Sequence, residues 1–212
     1  MSTAPLQTQP PAARLLLTAL SVPASVVAGP LLGAGFTVAG IAHRLRCRRL
    51  ARALVGVLNV PFDLLMNSLG WLAVVAGYPA YAGTEEHPSV GMLDGSLVFK
   101  GGPAGHLVGT FASAFTPTSV IYVSGRAWSS LPPEGRDRLL NHELWHARRQ
   151  FGRYTGWVLW PSYLVANLVF GVHERNPFES GRNGPYTNVD RRWDAGYRES
   201  PDYVPASDPF WF

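Results

Sequence analysis

The sequence predicts an α+β fold: a small antiparallel sheet and one well-capped central helix, preceded by hydrophobic helices suited to a membrane. Three observations carry this. Two long apolar runs occupy the first 84 residues, Leu15 to Ala42 without a charge and Ala53 to Thr84 broken by Asp63. Ser96–Lys100 and Ser119–Ser124 read as strands, with Gly101, Gly102, Pro103 and Gly105 as turn residues between them. From Ser129 the chain reads Ser-Ser-Leu-Pro-Pro-Glu, a set of helix-start signals, and Gly152 closes the helix that follows.

Composition sets the outer bounds. The chain has 212 residues, of which 47% are apolar and only 15% charged. That balance is the opposite of the one disorder needs. The length can bury a core without cross-links. One cysteine, Cys47, excludes a disulfide scaffold and any multi-cysteine zinc site. The net charge is +4, and arginine supplies nearly all the basic residues, Lys100 being the lone lysine. This usage hints at a GC-rich bacterial genome.

Taken in order, residues 1–13 are small and polar and are expected to be flexible. Residues 14–84 form two hydrophobic helical segments, a membrane anchor. Each exceeds or matches the roughly 20 residues that cross a bilayer. Between them lie Arg44, Arg46, Arg48, Arg49 and Arg52. Positive charge between hydrophobic segments marks the cytoplasmic side and suits anionic lipid. A nucleic-acid partner is not expected, because both flanks are apolar and no recognition helix or stacking platform is nearby. These features predict membrane localisation, in a bacterial inner membrane, with lipid as one partner. Residues 85–179 form the domain that carries chemistry. Residues 180–212 are a polar, aromatic and irregular tail.

The chemistry lies in Asn141-His142-Glu143-Leu144-Trp145-His146, an H-E-x-x-H pattern. Residues i and i+4 share one helical face, so His142 and His146 can point at one metal ion. Glu143 is placed as general base, taking a proton from water as it attacks a carbonyl that the metal polarises. With 6 His in the chain, chance yields the pattern about half a per cent of the time. The extended form with a third histidine is excluded, since Arg149 and Gly152 stand at its Gly and His positions. A third ligand must come from His173, Glu174 or Glu179. Glu179 follows an Asn176-Pro177 turn that can open a short helix. If Glu179 is the ligand, His173 can lie near the site and hold the reacting oxygen. After Glu179 the chain reads Ser180-Gly181-Arg182, a weak helix.

The stretch 119–180 resembles small gluzincin-type zinc metallopeptidases, which are often tethered to membranes. A strand, a Leu-Pro-initiated helix with H-E-x-x-H, an Arg-Gln, a Pro-containing apolar segment with Tyr163, and Asn-Pro-Phe-Glu carry the likeness. The resemblance implies a zincin-like active-site helix, Zn2+ bound by His142, His146 and Glu179, Glu143 as catalytic base, and a peptide or protein substrate. The strand around Ile121–Val123 could offer its edge to an extended peptide. The competing reading is a non-catalytic membrane scaffold or binding protein whose metal site is structural or degenerate.

One constraint links topology to chemistry. Tyr154–Val172 is uncharged and 19 residues long, enough to suggest a third span. A span there would put His146 and Glu179 on opposite sides of the bilayer. The metal reading therefore predicts that this segment folds back.

Overall fold

The computed structural model describes residues 50–151, 156–171, 173–206 and 208–210. The N-terminal 13 residues, the hydrophobic run Leu15 to Ala42 and the arginines at 44–49 lie outside the described residues. The fold is mixed α and β.

The second hydrophobic run is a single helix, α1, spanning Leu50–Tyr81. Its Val57–Tyr81 portion is long and apolar enough to cross a membrane, with mean hydropathy 1.4. The same helix is also a layer of the folded domain. Trp71 and Val74 pack on the sheet, and the Phe99 ring lies where a side chain at Gly70 would be.

The sheet opens with an antiparallel hairpin of β1 (Ser89–Leu93) and β2 (Ser96–Lys100). Asp94 and Gly95 close it, both with positive φ (46° and 78°). Two such residues make the tight turn whose twist matches the strands, and Asp-Gly adopts it readily. Helix α2 (Gly102–Val108) then leads to β3 (Ala114–Phe115) and β4 (Val120–Val123). The strand order is β1-β2-β4-β3.

The sheet is mixed, which corrects the antiparallel expectation. β4 runs parallel to β2 and antiparallel to β3. The reason is β3: α2 stays at the C-terminal ends of β2 and β4, with Gly105 against Val123 O, and β3 then carries the chain back, Ala114 opposite Val123, so that β4 starts again in the direction of β2. A second correction follows from the order. β4 is paired on both sides, so the edge proposed for Ile121–Val123 is already occupied, and β3 lies at the border of the sheet.

Alternate strand residues face opposite layers. Leu97, Phe99, Val120 and Tyr122 pack with Trp71 and Val74 of α1. Val98, Ile121 and Val123 pack with Leu140 and Leu144 of the helix on the other face. Burial on both faces explains why β2 and β4 show continuous apolar runs and little alternation.

That second layer follows α3 (Gly125–Ser130) and is α4, Pro133–Trp145. Ser129 and Ser130 end α3 and do not cap α4; Pro132 takes the cap position and Pro133 the first turn. Helix α4 widens into a π-helical turn, His146–Gln150, where Phe151 N–H donates to His146 O at 3.1 Å. Such turns recur at functional sites.

Helix α5, Gly156–Phe170, is followed by a 3-10 turn at His173–Arg175, then α6 (Pro177–Ser180) and α7 (Pro185–Asn188). The tail continues through 3-10 turns at Asp190–Arg192 and Tyr197–Glu199 and packs on α4. Tyr203 Oη donates to Asp137 Oδ2 at 2.5 Å, and Val204 N–H donates to Asn141 Oδ1 at 3.0 Å. Phe210 bridges to Gly91 of β1.

Candidate metal centre

His142 and His146 sit one helical turn apart at the C-terminal end of α4, with ring centroids 5.2 Å apart. Glu179 comes from α6. Asn176 caps that helix by accepting from Phe178 N–H at 2.8 Å. The cap starts the helix, and Pro177 fixes its first turn. The helix is one turn long and stops at Gly181. That turn suffices to aim the carboxylate. His142 Nε2 lies 3.3 Å from Glu179 Oε2, and His146 Nε2 lies 3.3 Å from Glu179 Oε1.

These three side chains can hold a metal ion, each offering one ligand atom, all within 4.8 Å of one another. The spacing suits a small cation. Four ligands at 2.0–2.1 Å in a tetrahedron stand about 3.4 Å apart. The donor set, two imidazoles and a carboxylate, is one that zinc accepts.

The histidines are oriented from behind. His142 Nδ1 meets Asp190 Oδ2 at 2.6 Å, and His146 Nδ1 meets Gln150 Oε1 at 2.8 Å. Gln150 also donates through Nε2 to the Phe178 carbonyl, which can only accept. That fixes Oε1 toward His146, so His146 donates from Nδ1. Both Nε2 atoms then face Glu179. Asp190 is itself held by Arg138 Nε at 3.0 Å. A second partner on each ring sets the tautomer and the ring plane.

Glu143 is buried beside this cluster. Thr116 Oγ1 donates to Glu143 Oε2 at 2.6 Å. Thr116 follows β3, so the edge strand places the carboxylate. On the far side Tyr163 of α5 donates to Glu179 Oε1 at 2.6 Å.

The electrostatics are those of a carboxylate shared between two imidazoles. Burial opposes charge on His142, but hydrogen bonds to Asp190 and Glu179 outweigh it, and its pKa rises from 6.5 to about 10. Burial likewise opposes charge on His146, and the Glu179 charge overcomes it, raising the pKa. Burial would raise Glu179, yet the His146 charge and the hydrogen bonds from both imidazoles hold it well below the usual carboxylate range. Asp190 is lowered against its burial by His142 and Arg138. Protons on the imidazoles balance the carboxylates where a divalent cation would otherwise do so.

The structure thus brings His142, Glu143, His146 and Glu179 together. The backbone of His173 lies in the turn before α6, and its side chain lies outside the described residues. The fold-back expected of Tyr154–Val172 is present in its described residues, 156–171. Gly156 N–H donates to Asn59 Oδ1 at 2.7 Å at one end of α5, and Asn176 Nδ2 donates to Asn167 Oδ1 at 2.5 Å near the other. His146 and Glu179 therefore meet, although α5 lies between them in the chain. Asp190 and Thr116 are additions that the sequence does not signal, and Gln150 and Tyr163, present in the motif, gain their roles only here. Gln150 is four residues after His146 on the same helix, a spacing that could have shown it. Asp190 lies 48 residues from His142 and has no local signal.

Comparison with family models, curated proteins and solved structures finds no match. The likeness to gluzincins therefore rests on the motif residues alone.

Proposed function

We propose that this chain is a membrane-associated, zinc-dependent hydrolase, with peptide bonds as its substrate class. The observation that supports it most is the convergence of His142, His146 and Glu179 on a space within 4.8 Å, with Glu143 beside it. A bound divalent cation would supply Lewis acidity, polarising a carbonyl and acidifying water. The rest falls to the chain's own residues. Glu143 accepts the proton of the attacking water at Oε1, the oxygen that Thr116 leaves free, and returns it to the departing amine. Thr116 holds the other oxygen. Asp190 and Gln150 keep the imidazoles aimed. Tyr163 holds Glu179.

Deep burial of His146 and Glu179 favours a second reading, a structural metal site in a non-catalytic scaffold, since a catalytic site keeps an open position. One experiment separates them. Metal content of detergent-purified wild type, His146→Ala and Glu179→Ala is measured beside hydrolysis of a peptide library by wild type and Glu143→Gln. The hydrolase reading expects one metal per wild-type chain, lost in His146→Ala. It also expects activity that falls about 10²- to 10⁴-fold in Glu143→Gln with metal retained. Retained metal with no wild-type activity supports the scaffold. No metal in the wild type sinks the hydrolase and leaves a scaffold whose site is degenerate.

A further inference from the structure

Helices α1 and α5 are arranged inside out. On α1, Asn59, Asp63 and Asn67 recur every four residues and are all buried, Asn59 and Asp63 to 0% and 1% exposure. Their side chains bond into the protein: Asn59 Nδ2 donates to Phe151 O at 3.1 Å, and Asp63 Oδ1 accepts from Ser119 Oγ at 2.9 Å. The outward side of the same helix shows Val57, Leu58, Leu65 and Leu69.

Helix α5 repeats the pattern. Trp160 Nε1 donates inward to Pro117 O at 2.7 Å, and Tyr163 and Asn167 also bond inward. The exposed residues are Val158, Leu164, Val165, Leu168, Val169 and Phe170, with Leu168 at 80%. All but Phe170 lie on one helical face, which exposed Pro161 completes. The two helices join where Gly156 packs on Phe62 and bonds to Asn59. A soluble monomer rarely exposes more than on the order of a few hundred Å² of contiguous apolar surface, and a helix in water turns its polar side outward.

We propose that the outward faces of α1 and α5 rest in the hydrocarbon of a bilayer as one lipid-contacting surface. Three observations select lipid as the occupant. Polar side chains are directed inward on both helices. The exposed face of α5 carries no charge. The arginines at 44, 46, 48, 49 and 52, at the start of α1 in the sequence, complement anionic headgroups. α5 has 15 residues, about 22 Å of helix, short of the roughly 30 Å hydrocarbon core. Both its ends also return to the protein. It therefore enters one leaflet or lies along it and does not cross. α1 packs on the sheet near its middle, so it lies along the same surface. The consequence deepens the proposed hydrolase and rests on that reading: Tyr163, on α5, touches Glu179, so the metal centre stands about one helix diameter from lipid. Its substrates would then be peptide segments held at the membrane face.

The full chain is reconstituted in vesicles of phosphatidylcholine and phosphatidylglycerol, 3:1, that contain a phosphatidylcholine with a photoreactive acyl chain. Wild-type protein needs no substitution, so folding is not in question. Adducts within residues 158–170 and 57–69 are expected, with none in 182–199. In a second measurement Leu168→Cys, Leu65→Cys and Arg182→Cys, each in Cys47→Ser, carry a fluorophore facing brominated acyl chains. Several-fold quenching is expected at positions 168 and 65 and none at 182. Adducts or quenching confined to α1, or found on neither helix, would overturn the proposal, and the run 15–42 or a second copy would then cover α5. Neither readout uses metal or catalysis. The same pattern in His146→Ala with no metal in the wild type would leave the surface standing while the hydrolase falls.

Discussion

The Thr116 hydroxyl stands 2.6 Å from Glu143 Oε2, joining the border strand of the sheet to the carboxylate of the H-E-x-x-H helix. Both side chains are buried, so the bond is not traded for water. Strand β3 is two residues long and contributes little to the sheet; it delivers Thr116.

Thr116→Val is therefore expected to lower kcat about 10- to 100-fold, the worth of a hydrogen bond to a charged group. KM and metal content should not move. Thr116→Ser should recover most of the loss. Steady-state kinetics beside metal analysis checks this, and a kcat unchanged in Thr116→Val would show that Glu143 needs no anchor.

Asp190→Asn weakens the orientation of His142 without removing a ligand. Metal affinity should fall about 10- to 100-fold, read by competition with a chelator of known strength. Wild-type affinity in the variant would disconnect the C-terminal tail from the metal centre.

The metal-free protein should lose thermal stability as pH rises from about 6.5 to about 10. His142 has its pKa raised in the folded state to about 10. Its contribution is complete below the unfolded value of 6.5 and is lost as the pH climbs through the folded one. Glu179 has the opposite sign. Its pKa is lowered, so its contribution holds above the ordinary carboxylate range and is lost as pH falls. Adding zinc should reverse the alkaline trend, because the cation displaces the imidazole protons more easily at higher pH. Melting curves with chelator and with zinc, from pH 6 to 10, decide it; parallel curves would argue against metal at these residues.

Gly184→Ala should disturb the metal centre through the backbone. A side chain at Gly184 would collide with the carbonyl oxygen of Glu179, which cannot give way as a flexible side chain would. Weaker metal binding and a lower Tm are expected. Gly83→Ala is the comparison. It meets open space at φ 75°, so only the left-handed backbone cost of about 1–2 kcal/mol applies, with metal binding unchanged. Equal metal affinity in both variants would mean that α6 tolerates displacement.

Much of this was legible in residue order. The i, i+4 spacing of His142 and His146 puts both on one helical face whatever surrounds them. Asn176-Pro177 starts a short helix, and a metal shared by His146 and Glu179 would require α5 to fold back. Local backbone geometry decides such features. The strand at 89–93 carries its own signal in Asp94-Gly95, which the reading of the sequence passed over.

The direction of β4 depends on β3, which carries the chain back across the sheet before β4 begins. Asp190 and Thr116 reach the site from 48 and 27 residues away, and only packing brings them there. Residue order settles the helix that carries His142 and His146 and the apolar content of α1 and α5, because spacing and hydropathy are local. Only the fold decided which side of each apolar helix faces the protein, since Asn59, Asp63 and Tyr163 choose their direction by the partners that await them.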